Sequence, residues 1–427
     1  MIAHPLHVAV IGCGIVGATT ALRLVGEGHA VTIVEPDEAG GTQAASYGNG
    51  AFISPPSVVP MSMPGIWKKV PGYLADPNGP LTIRWSQLPR LAPWLIRFIR
   101  AGATVARVEA TARALSSLLH DSPARHAAIA AELGQPDLIR KSGLLYIYPG
   151  RKEFEAEALS WRLRRDNGVR WIELDSDELH RREPAVGPRY TFGVLAEEAG
   201  HCFDPGGYVA AITALAVARG AALKRARALG FASEGGKLRG VRTSEGTLAC
   251  DRAVICAGIR AKELARQTGD DIPLESERGY HALIASPPVA PRTPIMPSDG
   301  KMANTVTRTG LRIAGQVELA SVDAPPNWRR IEVLLHHALS TYPGLGARET
   351  LQVEKWMGHR PSAPDSLPVI GRASALGDVL YAFGHGHVGL SAAPATAEAI
   401  CDLIADRPPA TDLAPFSPTR FRPPGTG

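Results

Sequence analysis

The feature that most restricts this 427-residue chain is a short passage near its start. Val8-Ala9-Val10-Ile11 leads into Gly12-Cys13-Gly14-Ile15-Val16-Gly17, a helical pattern follows over 15–27, and Val31-Thr32-Ile33-Val34 comes next. A short, continuous apolar run is the mark of a strand covered on both faces. Two such runs joined by a helix within about thirty residues make a βαβ unit. That unit demands a parallel sheet and a right-handed crossover. Each glycine of the GxGxxG turn has its own task. Gly12 permits the tight turn, Gly14 lets the backbone approach a pyrophosphate, and Gly17 lets helix and strand pack closely. Ala21 is small for the same reason. The helix start offers free N–H groups and a positive dipole end to phosphate. Glu35, closing the second strand, suits ribose hydroxyls and repels a 2′-phosphate, which disfavours NADP. These residues point to a dinucleotide and leave FAD and NAD both open.

The chain is too long for one simple core and predicts two domains, or one domain with a large insertion. With 44 glycines and 36 prolines, many tight turns are expected. The net charge of +5 is modest and its basic residues are dispersed, which argues against a nucleic-acid partner. Five cysteines (Cys13, Cys202, Cys250, Cys256, Cys401) form no CxxC pair. Their odd number argues for a reducing compartment over a disulfide or zinc framework, and Cys13 and Cys256 read as small buried hydrophobes. No signal peptide precedes the first strand, and no uncharged apolar run reaches the ~18 residues of a membrane span, so a cytoplasmic protein is expected.

Along the chain, residues 40–93 are irregular and rich in Pro, Gly, Ser and Asn, too long for an ordinary connection. Helical patterns cover 88–133, 153–167 and 207–219. A strand over 252–256 ends in Ala257-Gly258, and a β-rich, charged section spans 274–317. A last strand-turn-helix runs from Leu380 through Gly384-His385-Gly386-His387-Val388-Gly389 to about Asp406. The domains therefore interleave.

Beyond the N-terminal motif, the chain resembles the D-amino-acid oxidase-like (DAO) superfamily of FAD-dependent oxidoreductases, and within it the bacterial D-amino-acid and hydroxy-D-proline dehydrogenases. The resemblance rests on Ser46-Tyr47-Gly48-Asn49-Gly50-Ala51, Asp251 to Gly258, Gly358-His359-Arg360-Pro361 with Pro364 to Gly371, and Gly384 to Leu390. It implies an α/β and α+β architecture: a Rossmann-type FAD-binding domain (1–90, 195–270, 355–427) interleaved with a substrate domain on an antiparallel or mixed sheet (91–194, 271–354). It implies that Gly12, Gly14, Ile15, Val16 and Glu35 hold the adenosine diphosphate half. Ser46, Asn49, Gly50 and Ala51 would lie along the pyrophosphate and flavin, Ala228 at the adenine, and Ala257 and Gly258 close to the cofactor. Gly386, His387, Val388, Gly389 and Leu390 would face the flavin's pyrimidine edge, where oriented N–H dipoles stabilise negative charge. Some members attach flavin through a cysteine where this chain has Gly358, so non-covalent FAD is expected. His387 stands where many relatives carry a smaller residue.

The resemblance also implies that Arg360 binds a substrate carboxylate, a task that suits a planar, permanently charged fork. Hydride transfer from Cα to flavin follows, with the electrons passing to a quinone or respiratory acceptor. His385 and Tyr280 are candidate catalytic groups, though two histidines in a glycine loop serve equally to shape a pocket, and Tyr280, like Tyr47, can simply pack. The alternatives are an oxygen-using glycine- or sarcosine-type amine oxidase and a flavoprotein subunit of a heteromeric amine dehydrogenase. Over 88–107, Leu91, Leu95, Phe98 and Val105 project to one side and Arg90, Arg97, Arg100 and Arg107 to another. That pattern fits contact with the inner face of a membrane, although most amphipathic helices bury their apolar face in their own core, and Pro89 and Pro93 limit the regular part.

Overall fold

The computed structural model describes residues 5–422, the side chain of Lys69 excepted. The chain forms two compact units: one comprises the described residues up to Tyr47, Gly206–Ser276 and those from Arg360 onward, the other Gly48–Pro205 and Glu277–His359. The chain thus enters the second unit at Gly48, where the sequence places that crossing after residue 90.

The first unit is built on a six-stranded sheet in the order Ala222–Lys224, Ala30–Val34, His7–Ile11, Arg252–Ile255, Val379–Phe383, Val369–Arg372. Its first five strands are parallel and the last is antiparallel. The apolar run Val8–Ile11 is central, paired to Val31–Val34 on one side and Arg252–Ile255 on the other, and is almost wholly buried. The helices Ile15–Gly26 and Gly389–Ile404 pack together. Ala9, Ile11, Ala253, Ile255, Val379, Tyr381 and Phe383 share a core with the helix Ala261–Gln267 and the antiparallel sheet Ala228–Glu234, Lys237–Thr243, Gly246–Ala249. The sheet is covered on both faces, as its continuous apolar strands require. The doubly wound fold is as the sequence predicts.

The second unit is a nine-stranded mixed sheet running Val353–Ser362, Glu275–Ile284, Gly310–Leu319, Ala303–Thr307, Ile295–Pro297, Leu144–Tyr148, Phe192–Ala196, Ile172–Leu174, with Leu81–Ile83 added parallel to Gly310–Leu319. The helix Arg329–Thr341 packs on it through Ile331, Leu334, Leu335 and Ala338. The helical pattern over 88–133 resolves into Leu88–Ala101, Val105–Leu119 and Ser122–Glu132. Gly102 ends the first, and Thr104 caps the second by accepting from Arg107 N at 3.3 Å.

Candidate functional site

In the first unit the glycine turn is tied down at each residue. Gly12 has φ +101°, in the region that favours glycine, and donates from its N–H to Val34 O at 2.9 Å. A β-carbon there would lie 2.7 Å from Cys256 O and 3.0 Å from the Cα of Ala257, so Ala257 meets the turn itself. Cys13 N donates to Glu35 Oε2 at 2.7 Å, and Asp37 N to Oε1 at 3.2 Å. Burial raises the Glu35 carboxyl above the ordinary range, and these N–H donors pull it partly back. Gly14 is the N-cap of the helix Ile15–Gly26, whose residues Ile15 and Val16 are buried. The Ser46 hydroxyl accepts from Ile15 N at 2.9 Å.

These residues fit the adenosine diphosphate half of FAD. A β-carbon on Gly14 would meet only Ser46 Oγ, at 3.3 Å, so beside the hydroxyl that takes the Ile15 N–H nothing else crowds the helix start that a phosphate would approach. Each oxygen of Glu35 accepts one backbone N–H and keeps capacity for a ribose hydroxyl. Gly258, at φ +54°, opens the short turn Gly258–Arg260, and Ala228 begins its strand half-buried.

The Gly384–Leu390 loop joins the strand Val379–Phe383 to the helix Gly389–Ile404, with Val388 as N-cap and Leu390 buried in the first turn. Gly384 and Gly386 have φ +81° and +54°. Gly386 N donates to Pro361 O at 2.9 Å, and Ser362 bridges to His385, so the Arg360–Ser362 segment lies along the loop. Arg360 is half-buried. Its charge acts on His387, whose ring is accessible to solvent yet surrounded by enough protein that desolvation, then Arg360, holds it down to about 4. His385 is different. It is buried, its Nε2 is 3.0 Å from Thr396 Oγ1, and desolvation holds it down to about 3. The ring serves the packing of loop on helix.

In the second unit, the continuation of the Ser46–Ala51 segment is gripped by residues that the sequence does not single out. His281 Nδ1 is 3.0 Å from Gly48 O, Arg312 donates to Asn49 O at 3.1 Å, and Thr305 Oγ1 donates to Gly50 O at 2.8 Å. Asn49 Oδ1 accepts from Ala51 N at 2.6 Å, and Ala51 holds φ +62°. The Trp356 ring stacks on His281 (centroids 5.1 Å apart) and lies across both Gly48 and Gly358, where β-carbons would come within 2.2 and 2.1 Å of it. A cysteine at 358 would need that ring to move. Tyr280 is buried, donates to Glu318 at 2.5 Å and accepts from Asn327 N at 2.9 Å. Its hydroxyl is thus held from two sides.

A nucleotide-type parallel sheet with a glycine turn, a carboxylate at the second strand and a second glycine loop opening a helix defines a dinucleotide-binding protein. The chain belongs to the family described as FAD dependent oxidoreductase (DAO), whose model matches residues 7–403. FAD is its cofactor. The chain is 52% identical over 416 residues to a D-amino-acid oxidase of Bradyrhizobium diazoefficiens, covering 97% of this chain and 99% of that protein. It is 30% identical over 431 residues to a D-amino acid dehydrogenase of Paramagnetospirillum magneticum, covering 97% and 99%. Among solved structures, a glycine oxidase of Geobacillus kaustophilus superposes with a TM-score of 0.75 at 22% identity over 98% of this chain and 99% of that one, a likeness of fold.

Proposed function

We propose that the protein oxidises a D-amino acid at its Cα–N bond, binding the substrate carboxylate on Arg360. The observation that carries this reading is the position of that guanidinium: half-buried, on the segment paired with the Gly384–Leu390 loop, in the unit with the dinucleotide turn. The names of the 52% and 30% identical relatives support the D-amino-acid class.

FAD, when bound, supplies the two-electron acceptor for the hydride leaving Cα. Arg360 pairs both carboxylate oxygens and so fixes the orientation of Cα. His387, neutral at working pH, places no second positive charge beside that pair. The amine must be neutral when hydride leaves, and solvent takes its proton. The imino acid product then hydrolyses in water or, if cyclic, persists as a pyrroline. His385 and Tyr280 have no part in these steps.

For the electrons, the first reading is a dehydrogenase delivering to a quinone or respiratory acceptor. A second, an oxygen-using oxidase, is favoured by the name of the 52% identical relative. An anaerobic screen of D- and L-amino acids, proline and the hydroxyprolines included, tests the function. Bleaching of flavin absorbance by D-amino acids alone is expected, and bleaching by none of them overturns the reading. Peroxide yield in air, set against reduction of a quinone analogue, then assigns the acceptor.

A further inference from the structure

The turn that follows Arg360 is held from two sides. Past Ser362, where the strand carrying Arg360 ends, the chain turns into Val369–Arg372 of the six-stranded sheet. Within the turn Ser366 N donates to Ala363 O at 3.1 Å, and Ser366 sits at φ +66°. A residue other than glycine keeps that conformation only where its surroundings impose it. One side of the hold is the glycine loop, through Gly386 N to Pro361 O and the bridge from Ser362 to His385. The other is the C-terminal part of the chain.

Beyond the helix Gly389–Ile404, two short helical turns, Ala414–Phe416 and Pro418–Phe421, pack against Val369–Arg372. Phe416 is fully buried, and Phe421 packs on the core that holds Val369 and Tyr381. The backbone between these two rings carries Arg420. Its Nε donates to Asp365 Oδ2 at 2.8 Å and its Nη2 to Asp365 Oδ1 at 3.3 Å. Nη2 also donates to Leu367 O at 2.8 Å, and Nη1 to Phe416 O and Ser417 O at 3.0 and 3.1 Å. Asp365 Oδ1 accepts from Leu367 N as well, at 3.2 Å. A guanidinium has five N–H donors, so Arg420 has none left for a ligand. All its donors go to joining the turn and the C-terminal strap.

The strap does not need that joint for its own anchorage. Its two phenylalanines are packed, and Arg422 donates to Asp270 Oδ1 at 3.2 Å and Gly269 O at 3.4 Å, away from the turn. The joint bears on the turn instead. Two of the four residues between Arg360 and Asp365 are prolines, Pro361 and Pro364. Their fixed φ angles stiffen the span, so a shift at Asp365 passes on to Arg360. A pair that must meet both oxygens of a carboxylate tolerates little displacement.

We propose that Arg420 is a positioning residue, which through Asp365 fixes this turn and so holds the Arg360 guanidinium where the substrate carboxylate docks. The proposal rests on the assignment of that carboxylate to Arg360.

The test compares Arg420→Gln, Asp365→Asn and the double variant with the parent, each as full-length holoenzyme. In either single variant kcat/KM for the best D-amino acid should fall about tenfold, chiefly through KM. The double variant should fall no further, because both changes remove one link. Arg420→Lys, a point charge without the fork, should recover only part of the loss. A second readout needs no substrate. After desolvation, it is the Arg360 charge that holds His387 down to about 4. In Arg420→Gln that value should rise toward the one in Arg360→Ala, followed by imidazole NMR with the resonance assigned by its loss in His387→Gln. Arg422→Gln controls for stability: it should lower the unfolding midpoint and leave kcat/KM and the His387 titration as in the parent. Where Arg360→Ala lowers kcat/KM, either readout left unchanged in Arg420→Gln overturns the proposal, as do equal changes in Arg422→Gln. Where Arg360→Ala itself changes nothing, the carboxylate reading falls, and the His387 titration alone decides whether Arg420 holds Arg360.

Discussion

The carbonyl oxygen of Gly12 lies 1.9 Å from where a β-carbon on residue 17 would sit. The strand end and the helix are therefore in direct backbone contact, and only glycine allows it. Gly17→Ala must push the helix Ile15–Gly26 away from the turn, at a cost of roughly 1–3 kcal/mol, and should leave protein that loses its flavin on gel filtration. Gly26→Ala is the control: its β-carbon meets nothing within 4 Å, and it should raise stability by about 0.5–1 kcal/mol with flavin retained.

Tyr280 separates a structural role from a catalytic one. Its hydroxyl bridges Glu318 and Asn327 N, and Glu318 is also held by Arg84 at 2.8 Å and Arg278 at 3.4 Å, with Arg278 and Glu318 fully buried. Tyr280→Phe leaves those partners short of a hydrogen bond and should cost about 1–3 kcal/mol in denaturant unfolding. The kcat/KM for the best amino acid should stay within about threefold of the parent. A large kinetic loss at unchanged stability would return Tyr280 to the catalytic set.

Arg360→Ala should lower kcat/KM by roughly ten- to a hundredfold, the worth of a charge-assisted pair. Flavin should be retained. Because the Arg360 charge helps hold His387 down, the same substitution should let the His387 pKa rise from about 4, followed by imidazole NMR. A kinetic loss without that rise would mean that the loop, and not the charge, had been disturbed.

Burial lowers the His385 pKa to about 3, so the folded state resists a proton that the unfolded chain accepts near 6.5. Its contribution to stability is whole above pH 6.5 and drains as the pH falls toward the folded value. By pH 5 the loss should be about 2 kcal/mol from this residue. His385→Gln, compared with the parent by urea unfolding at pH 7 and pH 5, should lose less stability over that interval. Equal losses would show that His385 is not the group that titrates.

What was legible in the chain was local. The strand, glycine turn, helix and Glu35 lie within about thirty residues, and each is set by short-range geometry. The break at Gly102 and the cap at Thr104 are just as short-range, yet the helical pattern read over 88–133 runs straight through them. Illegible were the contacts made across the chain. His281 reaches Gly48 from 233 residues away, and Arg312 reaches Asn49 from 263. Ala51 holds a positive φ with no glycine to announce it. The arginine helix was legible in period but not in orientation: Leu91 and Trp94 face inward because Ile83, just ahead of the helix, and Leu319, far along the chain, cover them. A helical projection cannot tell one apolar face from the other.

The order of strands in the first unit has a consequence for synthesis. His7–Ile11 is made before its partners: its neighbour Arg252–Ile255 follows some 240 residues later and Val379–Phe383 later still. At about 5–20 residues per second, the glycine turn waits on the order of tens of seconds before its sheet can close. The nascent chain has no finished nucleotide fold to offer during that time, so flavin cannot be held before Val379–Phe383 has been made. A premature stop before Val369 would leave a fragment with a bare strand edge on Arg252–Ile255, a substrate for proteolysis rather than a partly active enzyme.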